Sequence, residues 1–260
     1  AAAMKLTKSG KKVAVIDPRE QVGGNSTHVG TIPSKALRQS VFNLINFRRD
    51  PMFNKALEYE RVPLNKVLAN ARRVIRDQVS THKRFYERNQ IDVIQGWASF
   101  VDKHTLKVET DENIFETVTF NKAIITVGSR PYRPEILDFD HPRVFDSDKI
   151  LQMDYVVRKI IIYGAGVIGC EYASIFTGLG YKVDLINNQD KLLNYLDSEI
   201  SDALAHDFRQ FGVLIRNNEE IDHLETHDDH VVLHLKSGKK IKSDAILWSN
   251  GRSGNTEGLN

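Results

Sequence analysis

Residues 164–169 read Gly-Ala-Gly-Val-Ile-Gly, three glycines in a G-x-G-x-x-G spacing. The spacing alone is a weak signal. Here it directly follows an apolar run, KIIIY at 159–163, and opens an amphipathic stretch bearing Glu171, Ala173, Ile175 and Phe176. Strand, glycine turn and helix in that order are the context in which such a turn holds the pyrophosphate of a dinucleotide. Gly164 would permit the tight turn, Gly166 would let a phosphate approach the backbone, and Gly169 would let the helix pack on the strand. Free N–H groups and the helix dipole then hold the anion. The alternative is a purely structural glycine turn. The next apolar strand, 182–186 (KVDLI), ends at Asn187, where an NAD site usually carries an acid for the ribose 2′-hydroxyl. A neutral amide bonds a 2′-hydroxyl without repelling a 2′-phosphate, and Lys191 can attract one. The site is therefore expected to accept both NAD(H) and NADP(H). An ordinary turn asparagine is the alternative reading.

Asp17 ends an earlier apolar run, 11–17 (KKVAVID), in the way a ribose-binding acid ends a strand, although turn aspartates are common. Cys170 is the one cysteine, so an intramolecular disulfide and a cysteine-based metal cluster are both excluded, and no metal site is expected.

The elements that must position these residues are legible in outline. A short uncapped helix opens the chain and ends at Gly10, and 11–17 reads as a buried strand. A turn-rich loop with Gly23, Gly24 and Gly30 leads to a helix opened by Pro33 and Ser34, running to about Arg49 and broken by Asp50-Pro51. Leu64, Val67, Leu68, Ala71, Val74, Ile75 and Val79 keep a helical period over 64–88. The opposite face of that helix carries Arg72, Arg73, Arg76, Lys83, Arg84 and Arg88, read either as a nucleic-acid stripe or as a solvated basic face. The charge balance of the whole chain favours the latter.

Short alternating runs over 91–127 predict a small antiparallel excursion ending in a buried strand at 123–127, before a turn at Gly128. A fresh α/β unit starts near 145–148. It predicts strands at 159–163, 182–186 and 213–216, a helix at about 197–211 capped by Asp197 or Ser198, and two or three strands over 219–248 with a hairpin turn at 236–239.

Composition excludes several classes. Hydrophobic residues are 41% and charged residues 27%, ordinary for a globular chain. Net charge is +2, too balanced to direct the chain to nucleic acid or anionic lipid. No run of 18 apolar residues is present, and residues 1–10 are too short and polar for a secretory signal, so a cytoplasmic location without a membrane or nucleic-acid partner is the default.

The segment 23–37, with the pattern GGxxxxxGxIPSKAL, resembles the flavin-side segment of the flavoproteins with two dinucleotide-binding domains, the pyridine nucleotide-disulfide oxidoreductases. The stretches FYERN (85–89), GSRPYRP (128–134), IYGAGVIGCEYASIF (162–176), KVDLIN (182–187) and SNGRSGNT (249–256) also resemble members of that family. Disulfide reductases of that family carry a redox-active cysteine pair at the positions of Ser26 and Thr31, neither of which can form a disulfide. The variant THVGTIPSKALR (27–38) instead resembles members that move hydride between NADPH and NAD+ through FAD.

The resemblance implies a fold and a set of roles. The fold would be α/β, two Rossmann-like dinucleotide-binding domains with the first incomplete and a small antiparallel β excursion. A partial FAD-binding domain would span 1–148, an NAD(P)-binding domain 149–255, and a return to the first domain 256–260. Asp17 would bind the adenosine ribose of FAD; Gly23, Gly24, Ser26 and Thr27 would line its pyrophosphate and ribitol; Thr126 and Gly128 would lie on a turn touching it. Lys35 would sit beside the reactive ring and pair with Glu171, which would reach the nicotinamide. A cation there stabilises a reduced, anionic ring, and a carboxylate opposite keeps that lysine charged in a buried site. Val167 takes the place of a gate over the flavin, and Gly251 belongs to the cofactor-lining stretch. The alternative for Lys35 and Glu171 is a helix-edge lysine and a solvent-facing glutamate.

By the same resemblance, a first strand with its own glycine loop would precede Ala1, and a ribitol-binding strand and a dimer-forming interface domain would follow Asn260. The chain is thus expected to be a fragment of a homo-oligomeric enzyme. Two functions stay open: flavin-dependent hydride transfer between NADPH and NAD+, ping-pong and thiol-free, or a flavin-free NAD(P)-binding module without turnover.

Overall fold

The computed structural model describes residues 1–50, 52, 62–110 and 114–260. Along the chain, α1 (Ala2–Lys8), β1 (Ala14–Asp17), α2 (Gly24–His28), α3 (Thr31–Arg49) and α4 (Leu64–Arg88) lead to β2 (Asp92–Gln95), β3 (Trp97–Asp102), β4 (Thr105–Glu109), β5 (Phe115–Thr119) and β6 (Ser129–Pro131). There follow β7 (Val144–Asp146), a 3-10 turn at Lys149–Gln152, β8 (Lys159–Tyr163), α5 (Val167–Gly178), β9 (Lys182–Ile186), α6 (Ser198–Gln210) and β10 (Leu214–Arg216). The last elements are β11 (Ile221–Thr226), β12 (Val231–Leu235), β13 (Lys240–Ser243), β14 (Ala245–Trp248) and β15 (Arg252–Gly254). Two compact units result: one of residues 1–28, 73–129 and 254–260, the other of 29–72 and 130–253.

The second unit is built on a five-stranded sheet in the order β10-β9-β8-β14-β7, every pairing parallel. Parallel neighbours need long crossovers, and α5 and α6 supply two of them. Successive side chains of a strand point to opposite faces, so each strand feeds two cores. Ile160 and Ile162 of β8 and Leu247 of β14 join Leu37, Val41, Leu64, Leu68, Ile175 and Phe176 on the helical face. Ile161, Tyr163, Ile246 and Trp248 join Val231, Leu233, Leu235 and Ile241 on the other face. The antiparallel sheet β11-β12-β13 supplies those last four residues, with its second hairpin closed by Gly238 at φ +84°. Tyr163 and Trp248 stack with ring centroids 4.5 Å apart and planes 8° from parallel. Asp184, inside β9 and fully buried, is held by Lys159 Nζ at 2.5 Å and Arg216 Nε at 3.1 Å. Region 219–248 therefore holds four strands: three form the antiparallel sheet, and β14 returns to the parallel sheet between β8 and β7.

α3 packs against α5. Leu37 and Val41 share one buried face of α3, four residues apart. Where the helices come closest a Cβ on Gly178 would lie 2.3 Å from Val41 Cγ1 and 2.9 Å from Ile45 Cδ1. Arg48 closes the end of α5 by donating from Nη1 to the carbonyl of Gly178 at 3.1 Å. α6 begins at Asp197, whose side chain accepts from Glu199 N at 2.9 Å.

The first unit is thinner. β1 and β2 pair in parallel, Ala14 with Asp92 through Asp17 with Gln95. The antiparallel sheet there is only β3-β4-β5. The expected antiparallel excursion is thus corrected at its start: 92–95 pairs with β1, and because α2, α3 and α4 lie between the two strands the crossover is long and the pairing parallel. The expected buried strand at 11–17 is only β1, with Ala14 exposed and the rest half-buried, since β1 has one strand neighbour. The expected buried strand at 123–127 does not form. Ile124, Ile125 and Val127 are exposed, because an apolar run becomes a buried strand only when ladder partners and a covering layer meet it, and among the described residues none does. The loop containing Gly23 and Gly24 includes the short helix α2. The buried apolar side chains of this unit, among the described residues, are Val22, Val79, Ile91 and Val108.

The arginines and lysines of α4 are all exposed, Arg73 lying 3.6 Å from Asp77, which is a solvated face. Pro51, expected to break the preceding helix, lies outside the described residues.

A Gly178→Ala substitution gains helix propensity but must displace Val41. We expect a net loss of about 1–3 kcal/mol in urea unfolding; a gain would mean that the helices do not approach this closely.

Candidate functional site

The glycine turn sits at the carboxyl end of β8, where the strand order reverses: β9 and β10 lie on one side and β14 on the other. In open parallel sheets that reversal opens a crevice for ligands. Each glycine has a distinct physical reason. Gly164 has φ +106°, and a Cβ there would meet the carbonyl of Ser249 at 2.8 Å. A Cβ on Gly169 would lie 1.8 Å from the Gly164 carbonyl oxygen, so only glycine lets α5 seat on the strand end. Gly166, the N-cap of α5, has nothing within 4 Å of a built Cβ and is exposed. The turn thus presents an open backbone at a helix N-terminus, which is what an anion needs. Ser249, at the end of β14, clasps it: its Oγ lies 3.0 Å from the carbonyls of both Tyr163 and Gly164. Sequence reasoning passed over Ser249 as a single residue; its signal was a small hydroxyl at the end of an apolar strand.

Val167 is half-exposed in the first turn of α5. Glu171 follows four residues later on the same helix face. Its Oε1 lies 3.6 Å from Lys35 Nζ, so the two side chains that the resemblance pairs are paired. They are not buried, however: the Lys35 side chain is 68% exposed and that of Glu171 35%. The burial face of α3 passes through Ser34, Leu37 and Val41, leaving Lys35 pointing outward. An ion pair this exposed contributes about 0–1 kcal/mol, so it orients the lysine more than it stabilises the fold.

Asn187 has its amide engaged within the chain. It is 3% exposed, donates from Nδ2 to the Lys191 carbonyl at 2.9 Å and to Asn217 Oδ1 at 3.2 Å, and accepts from Gln189 N at 3.2 Å. Buried amides are used where they are satisfied, and this one ties two loops together at the carboxyl edge of the sheet. Lys191 Nζ donates to Ser198 Oγ at 2.9 Å. Gly251 is exposed with φ +105°, and its carbonyl accepts from Tyr132 N at 3.1 Å. Cys170 is buried beneath the turn, 3.5 Å from the Ala165 carbonyl, and burial pushes its thiol up to about 12.

The first unit holds the remaining candidates. Asp17, at the end of β1, accepts from Arg19 N at 3.0 Å. Gly23 (φ +124°) faces Thr27, which is buried against it with Oγ1 2.8 Å from a built Cβ, so Thr27 shapes the turn from below. Gly24 (φ +62°) opens to space and Ser26 is exposed. Thr126 and Gly128 are exposed, Gly128 at φ +71°. Two asparagines that sequence reasoning missed fix this second turn: Asn25 Nδ2 donates to the Ser129 carbonyl, and Asn255 Nδ2 donates to that of Val127 at 3.0 Å.

The profile of the family described as pyridine nucleotide-disulphide oxidoreductase matches residues 1–260. Soluble pyridine nucleotide transhydrogenases from Azotobacter vinelandii and Pseudomonas aeruginosa are each 55% identical over 258 residues, 99% of this chain and 56% of theirs. The chain thus spans about half the length of these relatives. Among solved structures, the HOCl-induced flavoprotein disulfide reductase RclA from Escherichia coli superposes with TM-score 0.84 at 26% identity, over 99% of this chain and 55% of that one. LpdA from Mycobacterium tuberculosis gives TM-score 0.89 at 22% identity, over 99% and 56%, a likeness of fold.

Two outcomes follow from the turn. Gly169→Ala should cost about 3 kcal/mol or more in urea unfolding, because backbone must move, whereas Gly166→Ala should change stability by less than about 1 kcal/mol. A thiol reagent at mildly alkaline pH should leave Cys170 unmodified in the native chain and label one equivalent on unfolding; rapid native labelling would contradict its burial.

Proposed function

The chain belongs to the pyridine nucleotide-disulphide oxidoreductase family, and from that premise we propose that it is part of a flavin-dependent enzyme moving hydride between NADPH and NAD+ without a cysteine pair. The observation that carries the reading is the Gly164–Gly169 turn: open backbone at Gly166, a helix N-terminus, and a position at the strand-order reversal. The close relatives named soluble pyridine nucleotide transhydrogenase support the choice of reaction. Ser26 and Thr31 at the two family cysteine positions support its thiol-free form, as does the inert Cys170.

In this reading residues 149–255 bind the nicotinamide nucleotides, residues 1–148 contribute to FAD binding, and 256–260 begin a return to the first domain. The unobstructed α-carbon of half-buried Gly24, the exposed Gly128 and the strand-end carboxylate of Asp17 fit a dinucleotide in the first domain, with Gly23, Ser26, Thr27 and Thr126 as its further residues. Gly251, exposed at φ +105°, is a further cofactor-lining position in this proposal. When bound, FAD supplies a ring that takes up and returns hydride. The protein's share is positioning and charge. The N-terminal turn of α5 holds the pyrophosphate, Val167 borders the nicotinamide place, and Glu171 orients Lys35 so that its ammonium faces developing negative charge. NAD(H) and NADP(H) both enter, and Asn187 acts by fixing the loop that the ribose meets. A homo-oligomeric, cytoplasmic protein belongs to the same proposal.

A second reading, an NAD(P)-binding module without flavin, is favoured by one contrast: the second unit has two dense cores, while the first leaves Ile124, Ile125 and Val127 exposed. The absorption spectrum of the purified chain decides between the two. Flavin bands with released FAD support the first, and a colourless protein that binds NADH supports the second.

Under either reading Gly166→Ala should weaken NADH and NADPH binding about tenfold by calorimetry, or about 1.4 kcal/mol, with stability retained. Equal affinity in the variant would remove the pyrophosphate from this turn. In flavin-loaded protein Lys35→Met should slow hydride transfer about 10- to 100-fold in stopped flow while leaving stability within about 1 kcal/mol. An unchanged rate would take Lys35 out of the chemistry.

A further inference from the structure

A second concentration of chemistry lies on the antiparallel sheet of the second unit. β11 and β12 pair with a register shift between Ile221 and His223, so that His223 stands directly opposite His234. Glu225, two residues after His223, projects from the same face of β11. One ligand atom from each of the three residues lies within 4.8 Å of the others. Glu225 is the hub: its Oε1 is 3.8 Å from His223 Nε2 and 2.9 Å from His234 Nε2, and its Oε2 is 3.9 Å from His227 Nε2. The two imidazoles stack with centroids 4.0 Å apart. On the opposite face Val231 and Leu233 are buried in the core, with Leu224 packed against it, so the backbone carrying the three residues is firmly held.

Two independent features point to a ligand. His234 is 8% exposed, and its Nε2 is buried without a hydrogen-bond partner although a carboxylate oxygen is 2.9 Å away. Nitrogen and oxygen therefore sit side by side, not in line through a shared proton. His223 Nδ1 lies 2.8 Å from Asp222 Oδ2, the outer carboxylate contact that fixes the tautomer of a metal-binding histidine and leaves Nε2 as the ligating atom.

We propose that His223, Glu225 and His234 form a binding site for a divalent first-row transition cation of the zinc class. Two imidazoles and one carboxylate suit zinc and its neighbours and do not suit magnesium or calcium, which take oxygen. Bonds of about 2.0–2.2 Å to a tetrahedral ion place ligand atoms about 3.3 Å apart. The separations of 2.9 and 3.8 Å from the shared carboxylate oxygen bracket that value, so small side-chain rotations close the site. The bound cation clamps β11 to β12 just beyond the register shift. This site is independent of the nucleotide reading above.

The test uses the full chain, stripped with a chelator and titrated with zinc chloride by calorimetry and with cobalt chloride by visible absorption. One saturable equivalent, an upward shift in thermal midpoint with zinc, and no response to magnesium or calcium are expected. His234→Ala and Glu225→Gln should each weaken zinc binding about 100-fold, and Asp222→Asn about 10- to 100-fold with stoichiometry kept. Because His234 is buried, the more exposed His223→Gln serves as the variant least able to disturb folding, with a native far-ultraviolet spectrum as its control. His82→Gln should bind as the parent does. Absence of saturable zinc binding below millimolar concentration, or binding that survives both His223→Gln and Glu225→Gln, overturns the site and assigns any retained metal to scattered surface histidines.

Discussion

The contact that orders the second unit is the one in which Gly169 seats α5 on the end of β8, with no room for a single methyl group against the Gly164 carbonyl. Because the helix is rigid, that seating fixes much else. It aims the first turn of α5 at the open end of the sheet and leaves Gly166 bare. It places Glu171 half a turn later. It brings Gly178, nine residues and two and a half turns on, to the opposite side of the helix, where a second side-chain-free contact admits α3. α3 in turn holds Lys35 against Glu171. Two glycines on opposite faces of one helix thus determine how the open turn is aimed and which residue of α3 meets Glu171.

Much of this was legible beforehand because the signals were local. A buried parallel strand reads as a continuous apolar run, and a glycine turn followed by a helical period reads as strand–turn–helix, so β8, α5, β9 and α6 lie where the sequence puts them. Where the outcome depended on partners distant in sequence, the reading failed. Residues 123–127 are as apolar as a core strand, yet a strand is a property of a ladder, and among the described residues the parallel ladder in that unit is only β1 and β2. The pairing of 92–95 with β1 depended on a long crossover that local alternation cannot encode.

The candidate site divides along the same line. Glycine positions were readable because residue type and motif spacing specify them, and the Lys35–Glu171 pair came from the family resemblance. The degree of burial was not. Lys35 turns outward because its neighbours on α3 claim the inner face. Asn187 is consumed by backbone groups of the 187–191 loop and by Asn217, partners that only the folded chain supplies. Ser249, Asn25 and Asn255 were invisible for a related reason: each acts by a hydrogen bond across many residues, and a lone serine or asparagine carries no periodic signature.

The two tryptophans of the chain are divided between the units. Trp248 is buried in the second, stacked flat on Tyr163 one residue before Ser249, while Trp97 in the first is 65% exposed. A shielded indole emits at shorter wavelength than one in contact with water. The molecule therefore carries two intrinsic optical reporters of different colour, so that loosening of either half leaves its own mark in the fluorescence spectrum, and events at the end of β14 fall on only one of them.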